Sequence, residues 1–340
     1  MRFFADFLEK WEKLIKKCLR FKCDRYVKDS FGGCFVENQE LNSDLKKVAA
    51  LIVTYNPDVK LLKKNIKATS ANVGDNYLIV DNGSKNLIEI LSTVGKKRVL
   101  SLDTNKGIAA AQNAGFRRLQ AQSYDWVLLL DQDSVIPEDL VQRMTAMSQF
   151  KQSDTGIIAA AFNSHSYVNQ GVIEKKNVIA SGGLIKVNAW CESGGMDDEL
   201  FIDFVDFDFD ARVLACGYKI YQNTEIVMQH EIGNTIYAPI RGHLLHLGAY
   251  HGYFSDHSPI RIYYFYKNFI IVHRRYPEYF NEPKGLFRLS VSRLREIFLY
   301  QRPRGKKFRA AFRGIKDGMR YDPQKDIRFQ KMMRQVNEES

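Results

Sequence analysis

The strongest constraint on the fold is a short apolar run that ends in two carboxylates, Val127-Leu128-Leu129-Leu130-Asp131-Gln132-Asp133-Ser134. Four apolar residues in a row predict a strand buried on both faces, as in a parallel sheet covered by helices. Ligands of α/β sheets bind outside the carboxyl ends of the strands, where this run places Asp131 and Asp133. Because clustered carboxylates repel each other, we expect a divalent cation there, Mg²⁺ or Mn²⁺. The alternative is that Asp133 or Ser134 caps a helix that begins near Pro137.

The same succession of apolar strand, polar turn and helix recurs ahead of this run. We predict strands that begin near residues 47, 77 and 99, and helices from about Asp58 to Ala68 and from Ile108 to Gln120. Such a βαβ series forms a parallel sheet whose polar tips share one edge. The tips supply Thr54, Tyr55, Asp81, Asn105 and Asp131. There an aromatic ring can stack on a base, and a carboxylate can accept a hydrogen bond from its ring N–H. No GxGxxG follows the first strand and no GxxxxGK[ST] occurs, so neither phosphate loop is indicated.

Beyond the run, the pattern continues with a helix near 138–150 and strands at 156–162 and 178–187. Glycines at 182 and 183 either let a sugar approach the backbone or permit a bulge. His230 follows another strand-like stretch, and a lone histidine is more often structural than a ligand.

The segment from 194 to 212 is dense in acids set among large apolar residues. We predict a helix from about 204 to 215, with Asp206 at its start. A carboxylate at a helix N-terminus is stabilised in its charged form, which suits a general base. Asp208 and Asp210 are expected only to cap this helix. Its predicted buried face consists of Phe204, Phe207, Val213 and Leu214.

Charge is unevenly distributed along the 340 residues, whose net charge is +11. Residues 1–28 hold nine Lys/Arg and four Asp/Glu, residues 261–340 hold twenty and eight, and the middle is net negative. Basic ends predict an anionic partner, phospholipid or nucleic acid. An amphipathic helix at 3–19 suits a membrane interface, or it docks on its own domain or on a second copy in a homo-oligomer. No apolar run is long enough to span a bilayer and no secretory signal is seen, so we expect a cytoplasmic protein.

Six motifs occur in a fixed order along the chain. They are Val-Thr-Tyr-Asn-Pro, Val-Asp-Asn-Gly-Ser, Asn-x-Gly-Ile-Ala-x-Ala-x-Asn, Leu-Leu-Asp-Gln-Asp-Ser, Leu-Phe-Ile-Asp-x-Val-Asp and His-x-Ile-Gly. Over about residues 47–275 this order resembles the bacterial rhamnosyltransferases of glycosyltransferase family two. The resemblance implies an α/β protein of the GT-A fold, with a Rossmann-like, mostly parallel sheet flanked by helices. We therefore expect an amphipathic helix and linker at 1–45, the catalytic domain at 46–275 and a basic helical extension at 276–340.

The resemblance also implies a nucleotide-diphosphate sugar donor, a divalent cation and a role for each site residue. The residues implied to contact the donor are Thr54, Tyr55, Asn56, Asp81, Asn105, Gly107, Asn113, Asp131, Gln132, Asp133 and Arg261. The implied metal ligands are Asp131, Asp133 and His230. Asp206 would be the catalytic base, with Val205 in place of the family's usual glutamate, a departure typical of the rhamnosyl branch. Arg261 would offset charge on the leaving diphosphate.

These implications predict an inverting enzyme that moves L-rhamnose from dTDP-β-L-rhamnose to a glycan hydroxyl. For the acceptor we expect a lipid-linked glycan at the inner face of the cytoplasmic membrane, which assigns the basic ends to phospholipid rather than nucleic acid. The closest alternative keeps the fold and uses another donor, a galactofuranose or hexose nucleotide. From another class, a non-catalytic membrane-binding or nucleic-acid-binding module would leave the acidic crevice unexplained. A processive synthase is not indicated, because the Gln-x-x-Arg-Trp element is missing.

Overall fold

The computed structural model describes residues 48–162, 171–228, 235–237, 253–277 and 283–339. They belong to two compact units. The sheet unit contains the described residues from 48 to 228 together with 324–339, and the helical unit contains those from 235 to 323. The predicted amphipathic helix at 3–19 and the predicted metal ligand His230 lie outside the described residues.

The sheet unit is built on an eight-stranded sheet. In chain order its strands are β1 (Val48–Thr54), β2 (Tyr77–Asp81), β3 (Val99–Ser101), β4 (Trp126–Asp131), β5 (Thr155–Phe162), β6 (Val172–Lys175), β7 (Gly183–Lys186) and β8 (Lys219–Met228). Their order across the sheet is β3-β2-β1-β4-β7-β5-β8-β6. The first four run parallel, as do β5 and β8, whereas β7 is antiparallel to both neighbours and β6 to β8. This arrangement confirms the expected α/β architecture with a mostly parallel sheet.

Ten α-helices are found among the described residues. In chain order they are α1 (Val59–Val73), α2 (Leu87–Val94), α3 (Ile108–Gln120), α4 (Leu140–Thr145), α5 (Val187–Glu192), α6 (Val205–Ala215), α7 (Pro259–Arg275), α8 (Pro283–Leu299), α9 (Arg304–Arg320) and α10 (Ile327–Glu339). Helices α7, α8 and α9 belong to the helical unit and the others to the sheet unit. The basic helices expected near the end of the chain are therefore present. In the described part of the chain, no helix combines the length and apolar character that crossing a membrane requires.

The core of the sheet unit explains why the apolar runs form strands. Residues 49–54 of β1 and 126–130 of β4 are all buried, as expected for strands covered on both faces. The two strands are in register, with Val53 opposite Asp131, and β1 also aligns Thr54 with Asp81 of β2. The strand ends therefore lie level with one another, which places their polar tips along one edge of the sheet.

Two predicted elements differ from the structure. The strand predicted at 178–187 is confined to β7, because a turn in which Gly183 N donates to Ala180 O (3.0 Å) precedes it and α5 begins at Val187. Gly182, at φ 76°, lies in that turn rather than in a strand. The helix predicted at 138–150 is split into α4 and a 3₁₀ turn at 148–151, because the backbone of Met147 is extended (ψ 142°).

The helical unit is held together by close packing of α9 on α7. A Cβ atom at Gly314 would overlap the carbonyl group of Tyr263, and one at Gly318 would lie 2.9 Å from the carbonyl oxygen of Lys267. The two glycines are four residues apart and so lie on one face of α9. This face can approach the α7 backbone only because neither residue has a side chain. The unit also contains an antiparallel pair, β9 (Thr235–Tyr237) and β10 (Tyr253–Ser255).

Candidate active site

The ends of β1 and β2 are joined by a buried hydrogen bond between two predicted site residues. Thr54 Oγ1 donates to Asp81 Oδ1 (3.1 Å), and both residues are fully buried. The second oxygen of the carboxylate accepts from the backbone N–H of Ser84 (3.0 Å), which closes the turn after β2. Each carboxylate oxygen can accept more than one hydrogen bond. Asp81 therefore fixes this turn and still has acceptor capacity for a ligand N–H.

Beside this pair, Tyr55 and Asn56 form the turn after β1. The Tyr55 side chain is 45% exposed, which leaves a ring surface at this edge. Its backbone N–H donates to Gln132 Oε1 (2.8 Å), so the middle residue of the Asp-Gln-Asp element ties the tip of β4 to the tip of β1. The Asn56 N–H donates to Ser84 Oγ (2.8 Å). The aromatic residue and the acidic tips therefore occupy one connected edge, as the strand pattern predicts.

The turn before α3 is connected to the same edge through Asn82, a residue that our sequence interpretation did not assign to the site. Asn82 Nδ2 donates to Asn105 Oδ1 (3.1 Å) and to the Gly107 carbonyl oxygen (3.1 Å), and its Oδ1 accepts from Lys106 N (2.8 Å). Asn105 Oδ1 in turn accepts from Gly107 N (2.9 Å). Asn82 thus holds in place Asn105 and Gly107, two residues predicted to contact the sugar donor. The position of Asn82 within the Val-Asp-Asn-Gly-Ser motif is the sequence signal that could have assigned it to the site.

The tip of β4 is fixed by two further residues that the sequence did not reveal. Asp131 N donates to Ser181 Oγ (3.0 Å), and the Asp131 carbonyl oxygen accepts from Asn65 Nδ2 (2.7 Å) on α1. Ser181 Oγ also lies 3.0 Å from Ser134 Oγ. The next helix, α4, has Asp139 at its N-cap. The alternative in which Asp133 or Ser134 caps a helix is therefore wrong, and the carboxylate pair is left at the sheet edge.

Asp206 lies in the first turn of α6, as predicted. The pKa of its carboxyl group is raised from 3.8 to about 6, mainly by burial, and the nearby carboxylates of Asp203 and Asp131 add to the increase. The Phe207 N–H donates to Asp206 Oδ1 (3.0 Å), and this hydrogen bond lowers the pKa in part. The influence of Asp131 places the α6 carboxylate within electrostatic reach of the strand-end site. A carboxyl group with a pKa near neutrality can accept a proton and later release it.

The loop that leads into α6 has an unusual backbone. Phe201, Asp203 and Phe204 all have positive φ angles, between 61° and 64°. Non-glycine residues adopt this region at a cost on the order of 1 kcal/mol each, and such residues cluster at functional sites. The loop is attached to α3, because Ile108 N donates to the Phe201 carbonyl oxygen (2.6 Å) and a Cβ at Gly107 would lie 2.6 Å from the same oxygen. The start of α3 and the loop that leads into α6 are therefore packed against each other.

The other two acids of α6 do not cap the helix, contrary to our expectation. Asp208 is fully buried and pairs with Arg212 (2.7 Å), which is also buried and donates to the carbonyl oxygens of Ser193 and Gly195. Asp210 accepts from Val178 N (2.7 Å), and burial raises the pKa of its carboxyl group well above the usual value. Both acids therefore fix neighbouring chain segments.

The predicted buried face of α6 was also wrong in part. Of the four apolar residues expected there, only Val213 is buried, whereas Phe204, Phe207 and Leu214 are half-buried. The buried apolar residues of the helix are Val205, Phe209, Ala211 and Val213. The Phe204 and Phe207 rings lie 5.6 Å apart beside Asp206, which adds an aromatic surface that is partly open to solvent.

Asn113 was expected to border the donor pocket, and the structure shows how it is used. Its Oδ1 accepts from Trp190 Nε1 (3.1 Å) and Met196 N (2.8 Å), and its Nδ2 donates to Met196 O (2.8 Å) and Asp198 Oδ1 (2.6 Å). These four bonds use the full capacity of an amide side chain. Asn113 therefore fixes the turn at 195–198, and its role at the donor pocket stays a prediction.

The predicted cation site can be tested against the donor set. Within the described ranges, no group of three or more His, Cys, Asp or Glu residues is arranged to hold a metal ion. Mg²⁺ in nucleotide enzymes is commonly bound by one or two carboxylates together with substrate phosphates. Asp131 and Asp133, both partly exposed, fit that mode. Arg261 lies in the first turn of α7 in the helical unit, where its N–H donates to the N-cap Ser258 Oγ (3.4 Å).

Comparison with known proteins agrees with this architecture. A family model described as Glycosyl transferase family 2 matches residues 49–183, which contain β1 to β4 and their tips. The dTDP-rhamnosyl transferase RfbF of Shigella flexneri is 29% identical over 258 residues, covering 67% of this chain and 80% of that protein. An uncharacterized protein of Mycobacterium tuberculosis is 25% identical over 193 residues, covering 52% of this chain and 71% of that protein.

Among solved structures, S. aureus TarS is 14% identical with a TM-score of 0.46, and the match covers 76% of this chain and 45% of the TarS chain. The family match spans the strand tips described above. Residues 49–183 therefore form a glycosyl transferase family 2 domain, and the chain is a glycosyltransferase.

Proposed function

We propose that the chain transfers L-rhamnose from dTDP-β-L-rhamnose to a hydroxyl group of a lipid-linked glycan during surface polysaccharide biosynthesis. The observation that carries the proposal is Asp206, whose carboxyl pKa is raised to about 6 within electrostatic reach of Asp131 at the strand-end edge. The Shigella relative is a dTDP-rhamnosyl transferase, and this likeness supports the choice of donor. Its identity to this chain supports a shared reaction class.

The nucleotide is assigned to the edge formed by β1 and β2. The exposed Tyr55 ring stacks on the base, and Asp81, oriented by Thr54, accepts a hydrogen bond from the ring N–H. Asn56 belongs to the same turn and contacts the nucleoside. The sugar lies toward the start of α3, where Asn105 and Gly107 form the pocket wall. Asn113 and Asn82 act as positioning residues behind this wall.

The reaction is a single displacement that inverts the anomeric centre. Asp206 removes the proton of the acceptor hydroxyl, and the acceptor oxygen forms a bond to the anomeric carbon. The bond from this carbon to the diphosphate oxygen breaks, dTDP leaves, and the product is an α-L-rhamnoside. The raised pKa of Asp206 supports this role, because its carboxylate is a stronger base than an ordinary aspartate.

Asp131 and Asp133 would hold a divalent cation, with Gln132 fixing the element and His230 as the third ligand that the family resemblance implies. When bound, Mg²⁺ or Mn²⁺ supplies positive charge that stabilises the leaving diphosphate. Chelation with EDTA is expected to stop transfer, and added Mg²⁺ or Mn²⁺ is expected to restore it.

The acceptor is assigned to the inner face of the cytoplasmic membrane, where the protein associates peripherally. The support is the excess of Lys and Arg at the two ends of the chain, since anionic phospholipid attracts such segments. Nucleic acid is not proposed as a partner, because a membrane surface also presents the lipid-linked glycan. A second copy of the chain is the alternative partner of the predicted helix at 3–19.

The proposal is tested by offering the full chain several donors with a lipid-linked acceptor mimic. The donors are dTDP-β-L-rhamnose, a galactofuranose nucleotide and hexose nucleotides, and the product is analysed by mass spectrometry. We expect the mass increase of a deoxyhexose, with dTDP released. Transfer of a hexose or galactofuranose instead would keep the mechanism and replace the donor. Absence of transfer from every donor would refute the proposed reaction.

A further inference from the structure

Helix α9 has two faces of opposite character. Its buried residues are Lys307, Ala311, Gly314, Ile315 and Gly318. Two of these are the glycines that lie against the backbone of α7, and Lys307 forms an ion pair with Asp256. Because backbone-to-backbone contact leaves no room for rotation, the orientation of α9 is fixed. The opposite face is therefore presented to solvent in a defined direction.

The exposed face of α9 is a row of cations. Its exposed residues are Gly305, Lys306, Arg309, Phe312, Arg313, Lys316 and Arg320. The spacing of three and four residues places them in one line along the helix. A helix of 17 residues is about 25 Å long. We call the line of Lys306, Arg309, Arg313, Lys316 and Arg320 the cationic stripe.

The stripe contains no exposed acid. Asp317, the one acidic residue of α9, is half-buried, accepts from Tyr263 Oη (3.0 Å) and lies 3.8 Å from Arg313 Nε. Consecutive members of the stripe are three or four residues apart, and like charges at this spacing destabilise a helix. Four such pairs follow one another along the helix. This repeated local cost points to an anionic partner that offsets it.

We propose that the cationic stripe binds the anionic phospholipid surface of a membrane. A straight row about 21 Å long on a fixed helix matches a flat surface, so all five cations can approach lipid phosphates at once. Phe312, 45% exposed in the middle of the row, supplies the aromatic group that interfacial helices place among lipid headgroups. The inference deepens the proposed function, on which it rests for the lipid-linked acceptor, by assigning membrane contact to one face of one helix.

The test is flotation of the full chain with vesicles made of equal parts phosphatidylcholine and phosphatidylglycerol at low ionic strength. The stripe variant carries Lys306→Gln, Arg309→Gln and Lys316→Gln, since glutamine retains helix propensity. Each cation near an anionic surface contributes about 1 kcal/mol, so partitioning is expected to weaken on the order of 100-fold. Vesicles of phosphatidylcholine alone are expected to bind neither protein.

The matched control places the same three charge losses on an exposed helix of the sheet unit. It carries Lys63→Gln, Lys64→Gln and Lys67→Gln on α1. The control variant is expected to bind the anionic vesicles within a few-fold of the wild type. Equal weakening of both variants would show that net charge alone governs binding and would overturn the proposal. Binding of duplex DNA through the stripe, without vesicle binding, would also overturn it in favour of a nucleic-acid surface.

Folding of each variant is verified by circular dichroism. If the triple variant does not fold, the pair Lys306→Gln and Lys316→Gln is used, with an expected weakening of about 30-fold. Transfer to a soluble acceptor separates this inference from the proposed function. Transfer without stripe-dependent vesicle binding would remove the inference and keep the enzyme function. Stripe-dependent vesicle binding without transfer from any donor would keep the inference and remove the proposed enzyme function.

Discussion

Replacement of Asp206 by asparagine is expected to stabilise the folded protein while it removes activity. The carboxyl pKa is raised from 3.8 to about 6 on folding, so the folded state disfavours the charged form. Well below pH 3.8 the group is neutral in both states and has no effect. As the pH rises from about 4 to about 6, the unfolded state ionises while the folded state keeps its proton, so the free energy of unfolding falls, and above this range it no longer changes through this group.

The size of the gain follows from the pKa difference. A carboxyl pKa raised from 3.8 to about 6 corresponds to about 3 kcal/mol at neutral pH. Asp206 remains partly exposed, and solvent screening reduces this value, so we expect Asp206→Asn to raise the free energy of unfolding by about 1–3 kcal/mol at pH 8. At pH 4 the difference is expected to fall to about 0.5 kcal/mol, because the unfolded state is then only partly ionised. Asparagine Oδ1 can still accept from Phe207 N, which preserves the local hydrogen bond.

The measurement is urea unfolding at pH 4 and pH 8 in EDTA, followed by tryptophan fluorescence. Trp126 and Trp190 are buried in the sheet unit and report its unfolding. Asp103→Asn is the matched control, because the same chemical change at an exposed position should alter stability little at either pH. Turnover of Asp206→Asn with donor and acceptor is expected to fall on the order of 10²-fold or more. A variant that is less stable than the wild type at pH 8, or that retains normal turnover, would refute the reasoning.

Three further predictions concern positions away from the base. Gly107→Ala is expected to lower the free energy of unfolding by about 2 kcal/mol or more, because φ at this residue is 89° and the new Cβ would lie 2.6 Å from the Phe201 carbonyl oxygen. An unchanged melting temperature would contradict this. Ser181→Ala removes the acceptor of the Asp131 N–H. In titration calorimetry with Mn²⁺ present, it is expected to weaken dTDP binding by about 1–3 kcal/mol, and an affinity equal to the wild type would exclude a positioning role for Ser181. Burial and nearby cations lower the pKa of His257 from 6.5 to about 4. As the pH falls between these two values, the unfolded state takes up a proton before the folded state does, so the free energy of unfolding decreases. His257→Gln should reduce that acid loss by on the order of 1 kcal/mol in thermal unfolding, whereas an unchanged acid limb would exclude this residue as a cause.

The strand-end edge could be predicted from the sequence because its signals are local. Each apolar segment is followed directly by its polar tip, and a parallel sheet brings Thr54, Asp81 and Asp131 to one edge. This prediction needs no knowledge of any other contact. Helix α1 was also predicted in this way, since Asp58 caps it by accepting from Lys60 N (2.7 Å). Helix α1 extends five residues beyond its predicted end at Ala68, to Val73.

The residues that hold the edge in place could not be predicted, because their partners are distant in the chain. Ser181 contacts Asp131 across fifty residues, and Asn65 reaches the same residue from within a helix. The acids of α6 were misassigned for the same reason. Asp208 is neutralised by Arg212, whose remaining donors reach carbonyl groups in the turn at 193–195, and only the folded structure brings these groups together.

The most direct test of the central claim is a crystal structure of the protein with dTDP and Mn²⁺, in which anomalous scattering locates the metal. The account predicts one Mn²⁺ between the diphosphate and the carboxylates of Asp131 and Asp133, with the base of the nucleotide on Tyr55. A metal or nucleotide bound away from the ends of β1, β2 and β4 would contradict it.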